Sequence, residues 1–114
     1  MNIDGRWRGW YAYAGNGLHH PMELRLSQKA DRVTGAGSDD IGQFTVRGRC
    51  ADDGNLSWLK SYLTHSVDYE GRCQGRFIRG AWRLAGATGT FCLWPDGSKP
   101  GAVEAKAQKK PQMR

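Results

Sequence analysis

Apolar and polar side chains alternate along most of this chain with a period of two. Across residues 3–13, Trp7, Tyr11 and Tyr13 fall on one face and Arg6 and Arg8 on the other. That is the pattern of a strand with one wet side. Trp10 falls on the arginine face. Gly, Asn and Pro between residues 14 and 21 mark a loop. Met22, Leu24 and Leu26 then alternate with Glu23, Arg25 and Ser27, giving a second strand. A turn over residues 28–31 leads to a third strand over 32–38, and residues 38–42 turn the chain again. A fourth strand over 43–50 points Phe44 and Val46 inward and Thr45, Arg47 and Arg49 outward. Asp53-Gly54-Asn55 supplies residues that tolerate positive φ, the strongest turn signal in the chain. Strands over 56–63, 65–71, 76–85 and 87–94 follow.

These eight short strands have connections of only a few residues and no helix-period segment. Short connections force sequential neighbours to pair antiparallel. The expected fold is therefore all-β, a single antiparallel up-and-down barrel of about eight strands, with a two-sheet sandwich as the alternative. Glycines at 35, 37, 42, 48, 71, 80 and 89 favour the barrel, because tight curvature needs missing side chains.

The hairpin over residues 56–71 departs from a plain core pattern. Its inward face carries Lys60, Tyr62, His65 and Tyr69 beside Trp58 and Val67. In an up-and-down meander the loops after the first, third, fifth and seventh strands open at one mouth. These are residues 15–21, 39–42, Thr64 and Gly86. Parity gathers Tyr11, Tyr13, Lys60, Tyr62, His65 and Tyr69 on the inward face near that mouth, and Asp39 borders it. A buried lysine is costly unless paired, and Asp39 is the acid best placed to pair it. The seven residues form the candidate ligand-binding set; the competing reading is a structural ion pair with satisfied tyrosine hydroxyls. No Ser or Cys nucleophile is tied by spacing to His65 and no carboxylate pair stands out, so no catalytic residue is assigned.

The remaining chemistry-bearing residues change the picture less. His19 and His20 in the first loop read as solvated, not as metal ligands. Cys50, Cys73 and Cys92 are an odd number without a CxxC pair, which indicates neither a disulfide framework nor a zinc site. No cofactor or metal is expected. The strand arginines are expected to pair with Glu23, Asp68 and Glu70 across strands.

The formal net charge of +6 is unevenly spread. Residues 1–98, the expected barrel domain, carry 12 Lys/Arg against 10 Asp/Glu, a balance of +2. Residues 99–114 carry 5 against 1 without aromatics or apolar period, and are expected to form a flexible basic tail. The start of the chain has no apolar run after a basic segment and no window approaches a membrane span, so no signal peptide, no membrane partner and a cytoplasmic location are expected.

The order of short motifs resembles a known barrel family. Gly5-x-Trp7-x-Gly9-x-Tyr11-x-Tyr13, Val33-x-Gly35-x-Gly37-x-Asp39-x-x-Gly42-x-Phe44-x-Val46-x-Gly48, Lys60-x-Tyr62, His65-x-Val67-x-Tyr69-x-Gly71, Gly80-x-Trp82 and Gly89-x-Phe91-x-Leu93-Trp94 are similar to the C-terminal barrel domain of F-box only protein thirty-one. Plant EXECUTER proteins and small stand-alone bacterial proteins have a similar domain. The resemblance spans about residues 3–95 and implies an avidin- or lipocalin-like barrel. In the F-box protein that domain belongs to the part that recognises substrates, cyclin D among them, by a C-terminal peptide end. Asp39, Lys60, Tyr62, His65 and Tyr69 match the shared pattern. With no F-box, adaptor segment or chloroplast targeting sequence here, only a pocket for a peptide end or small molecule is carried over. The expected function is a non-enzymatic binding barrel taking a small molecule or peptide terminus at one mouth. The alternative is nucleic-acid or anionic-partner binding through the outer arginines and the tail, with nucleic acid the less expected partner.

Overall fold

The computed structural model describes residues 2–97, so the tail expected over residues 99–114 lies outside the described residues. Eight strands run in order: β1 (Gly5–Tyr13), β2 (His20–Lys29), β3 (Arg32–Asp39), β4 (Gln43–Cys50), β5 (Asn55–Ser61), β6 (Ser66–Gln74), β7 (Phe77–Leu84) and β8 (Ala87–Pro95). Each pairs antiparallel with its neighbour, and β8 returns to pair with β1, so the sheet is a closed up-and-down barrel. Closure leaves no strand edge for another chain to extend. Among the described residues no helix is long and apolar enough to cross a membrane.

Alternation decides what fills the interior. Leu26, Val33, Trp58, Tyr69, Ile78, Phe91 and Leu93 are all buried on the inner face, whereas Arg25, Thr34, Leu59, Asp68, Arg79 and Thr90 on the outer face are exposed. Large rings are accommodated by glycines on the neighbouring strand. Gly48 lies opposite Trp58, and a Cβ there would sit 2.6 Å from the Trp58 Cβ. Gly89 lies opposite Trp82, whose indole would be 2.6 Å from an added Cβ.

The two ends of the barrel are built differently. At the end where β1 begins, the foot, residues 2–4 fold across the opening and bury Ile3. The Ile3 amide donates to Gln28 Oε1 (3.0 Å), and Trp7 Nε1 donates back to the Ile3 carbonyl (3.0 Å). The strand expected from residue 3 therefore starts two residues later, because Ile3 acts as a plug. The other end, the mouth, receives the loops after β1, β3, β5 and β7.

Two expectations are corrected in detail. The β5–β6 connection is a four-residue loop over 62–65, not Thr64 alone, closed by a bond from the Tyr62 amide to the His65 carbonyl (2.8 Å). Trp94 sits opposite Arg8 on the outward register of β8 and is buried there. The strand arginines do not pair as expected. Arg8 lies opposite Glu23 and Arg83 opposite Asp68, yet Arg8 pairs with Asp96 instead, and Arg49 with Asp31, both turn acids. Cys50, Cys73 and Cys92 form no disulfide.

Candidate functional site

Asp39 is the last residue of β3, and the turn that follows fixes its carboxylate. Gly42 adopts φ of 150°, a conformation that favours glycine, and its carbonyl accepts from the Asp39 amide at 3.0 Å. Asp39 Oδ1 accepts from the amides of Ile41 (2.9 Å) and Gly42 (3.3 Å), an Asx-type turn. Oδ2 is left facing the barrel interior. There it accepts from Lys60 Nζ at 2.6 Å and from the Tyr62 hydroxyl at 2.5 Å.

Lys60 reaches this carboxylate from β5 and is 1% exposed. Its ammonium has three donors, and three partners take them: Asp39, the Tyr69 hydroxyl (3.2 Å) and Met22 Sδ (3.5 Å). Four aromatic rings surround the charge, with Nζ 4.3 Å from the Phe44 centroid, 4.9 Å from Tyr11, 5.2 Å from Tyr62 and 5.3 Å from Tyr69. Ring faces carry negative potential, so the cage partly replaces lost hydration. Burial still lowers the Lys60 pKa, against the opposing pull of Asp39. The Tyr62 and Tyr69 hydroxyls are held protonated: burial first, then Asp39, through its bond and charge at Tyr62 and its charge at Tyr69, raises both well above the ordinary phenol value. The mouth is thus floored by a neutral, internally saturated pair.

A second carboxylate serves a second cluster. Asp40 Oδ1 accepts from the Tyr11 hydroxyl (2.5 Å), and Oδ2 is bonded to His20 Nδ1 (2.6 Å). The His20 ring stacks on Tyr11 with centroids 4.7 Å apart. Tyr13 packs edge-on against Trp82 at 5.0 Å, and Trp82 Nε1 donates to the Ala12 carbonyl (3.1 Å). Partial burial raises the Asp40 pKa, but the bonds from Tyr11 and His20 outweigh it and the net shift is downward. Tyr11 is shifted upward by burial and then by the bond to Asp40.

The seven candidate residues therefore divide. Asp39, Lys60, Tyr62 and Tyr69 converge on one hydrogen-bonded cluster. Tyr11 borders it through its ring but bonds to Asp40, and Tyr13 stands on the rim, 43% exposed. His65 does not join the ion pair. It lies in the 62–65 loop, exposed, with its ring stacked on the outside of Tyr62 (4.8 Å) and Nδ1 bonded to Thr64 Oγ1 (3.0 Å). Strand parity has no force inside a loop.

His20 and Asp40 are additions to the expected set. Extending the Met22, Leu24, Leu26 period backwards places His20 inward, across the interruption of Pro21. Asp40 has no such signal, being a turn residue. His19 parts from its neighbour and stacks on the half-buried Trp10 at 3.7 Å.

Around this floor the rim is apolar. Leu18 (60% exposed) stands in the first loop, Ile41 (55%) in the second and Leu63 (100%) in the third. Where β4 and β5 part beyond the Thr45–Ser61 pair, Ile41, Phe44, Tyr62 and Leu63 line an open groove. The four mouth loops contain no Lys or Arg. No protein-family model matches the chain, and no curated protein matches it.

Proposed function

We propose that the protein is a non-enzymatic binding barrel whose mouth seats a small molecule or a peptide terminus. One observation carries this reading: of the five large apolar side chains exposed among the described residues, Tyr13, Leu18, Ile41 and Leu63 ring one end of the barrel. Exposed apolar groups gathered in one place mark contact surfaces, whereas scattered ones need no explanation. The rim supplies apolar contact and the Asp39–Lys60–Tyr62 floor supplies a rigid base. Because Asp39 neutralises Lys60 and the loops hold no other cation, the ligand engages through its apolar body. The resemblance to a substrate-recognising barrel domain supports a peptide end as one ligand class.

The test is two-dimensional NMR of the full chain titrated with apolar fragments and short peptides blocked or free at either terminus. Amide shifts are expected at Tyr13, Leu18, Ile41 and Leu63, and a combined Ile41→Ser, Leu63→Ser variant should lose them while keeping its spectrum dispersed. Shifts confined to the outer strand faces, or none across the whole set, would overturn the reading.

A further inference from the structure

The side of the barrel carries a charge arrangement that folding alone does not favour. On the outer face Arg6 lies directly opposite Arg25, and Arg32 directly opposite Arg49. Like charges facing each other across antiparallel strands are destabilising. Arg49 is relieved by Asp31 at 2.8 Å. Arg6, Arg25, Arg32 and Arg47 are exposed and make no ion pair among the described residues. Glu23 is on the same outer face, opposite Arg8 and one alternate residue from Arg25. On the far side Asp68 and Glu70 lie among Arg72, Arg79 and Arg83, and Arg72, opposite Arg79, is held by Asn55 at 2.6 Å.

The floor between these arginines is small and rich in hydroxyls. Arg47 faces Thr34, which faces Ser27, while Arg25 faces Ala36, which faces Thr45. Strand spacing and residue rise put Arg25 and Arg47 roughly 12 Å apart at Cα, two strands across and one alternate residue along. A planar guanidinium donates bidentately to a phosphate, which a lysine cannot do. Trp10, outward on β1, already stacks on His19 at 3.7 Å, and no aromatic side chain faces outward on β2, β3 or β4 to stack an unpaired base.

We infer that the outer face of β1–β4 is a second site, separate from the mouth, that binds the phosphate backbone of double-stranded nucleic acid without reading its sequence. The four unpaired arginines take phosphate oxygens, the hydroxyl floor lets the backbone approach closely, and the like-charge pairs are relieved when the anion arrives. Interactions of this kind position a protein on a duplex but carry no base information.

The experiment is fluorescence anisotropy of the full chain with a labelled duplex and the matching single strand over a series of salt concentrations. Duplex binding is expected to weaken with rising salt and to be indifferent to sequence. Arg6→Gln, Arg25→Gln, Arg32→Gln and Arg47→Gln together should make the salt slope shallower by about 0.9 for each phosphate no longer neutralised. The same variant should melt no lower than the original chain, because the Arg6–Arg25 repulsion is gone and Arg49 keeps Asp31. Absence of duplex binding at low salt overturns the proposal. So does an unchanged slope in the variant, which would place binding elsewhere on the chain. Tighter binding to the single strand, to polyglutamate or to anionic vesicles also overturns it.

Discussion

The mouth and the foot of this barrel solve the same geometric problem in opposite ways. At the foot, Ile3 enters the opening, Gln28 and Trp7 tie it down by hydrogen bonds, and the turns bond to one another, as in Cys50 to Asp31 and Cys73 to Gly54. No large apolar side chain is exposed there among the described residues. At the mouth the interior is closed by charge and hydroxyl groups, and the apolar side chains stand outside on the rim. A plug of hydrocarbon serves stability alone. A floor of saturated polar groups under an apolar rim leaves a surface that another molecule can use.

The sharpest way to break this contrast is alkali. Tyr11, Tyr62 and Tyr69 have folded pKa values raised above the unfolded phenol value of about 10. Their stabilisation is fully present below that pH and is lost as pH rises beyond it, because the unfolded chain ionises first. Lys60 acts in the opposite sense, its lowered folded pKa adding stability up to the unfolded lysine value of about 10.4 and nothing further. The tyrosine loss continues past that point. Unfolding should therefore set in above about pH 10, with hydrogen exchange rising first at the mouth. Exchange that rises first around Ile3 and Gln28 would contradict the division of labour.

Next in size is removal of one charge from the floor. Lys60→Met leaves the Asp39 carboxylate buried without its cation and should cost about 3–5 kcal/mol in urea unfolding. Adding Asp39→Asn, which keeps an oxygen for the Ile41 and Gly42 amides, should restore most of the loss. If the double variant is as unstable as the single one, the pair is not the unit described. A smaller effect is expected at the foot. Ile3→Ala should cost about 2–3 kcal/mol, near the low end for deleting a buried isoleucine side chain, and should leave mouth chemical shifts unchanged. Smallest in stability is the rim: the Ile41→Ser, Leu63→Ser variant should melt within about 0.5 kcal/mol of the parent per site while losing the mouth binding proposed above.

The parts of this arrangement legible in the sequence are those governed by strand period. Met22, Leu24 and Leu26 against Glu23, Arg25 and Ser27 leave little choice of strand or face, and eight such segments with short links close naturally into a ring. The same parity brings Lys60 and Tyr69 inward from neighbouring strands, and the need of a buried ammonium for a counter-charge points to Asp39. Where period gives way to turn geometry, alternation no longer informs. His65 falls inward only if the loop is one residue long, and it is four. Asp40 and the Ile3 plug depend on chain direction beyond a strand end, which alternation does not encode. The ion pairing of the outer arginines is also beyond its reach, since register alone sets a partner opposite but not whether long side chains meet it.

Seven of the eight ladders join strands adjacent in the chain, and the eighth joins β1 to β8. Local hairpins can therefore form early, with little loop entropy lost, while the ring is shut by one ladder spanning most of the chain. The Trp82–Ala12 bond and the Tyr13–Trp82 packing both cross from the late strands to β1. An open sheet would have most of its core hairpins and neither of these links. The barrel can thus be largely folded before its mouth exists, so a slow closing step would delay assembly of the mouth without delaying the bulk of secondary structure.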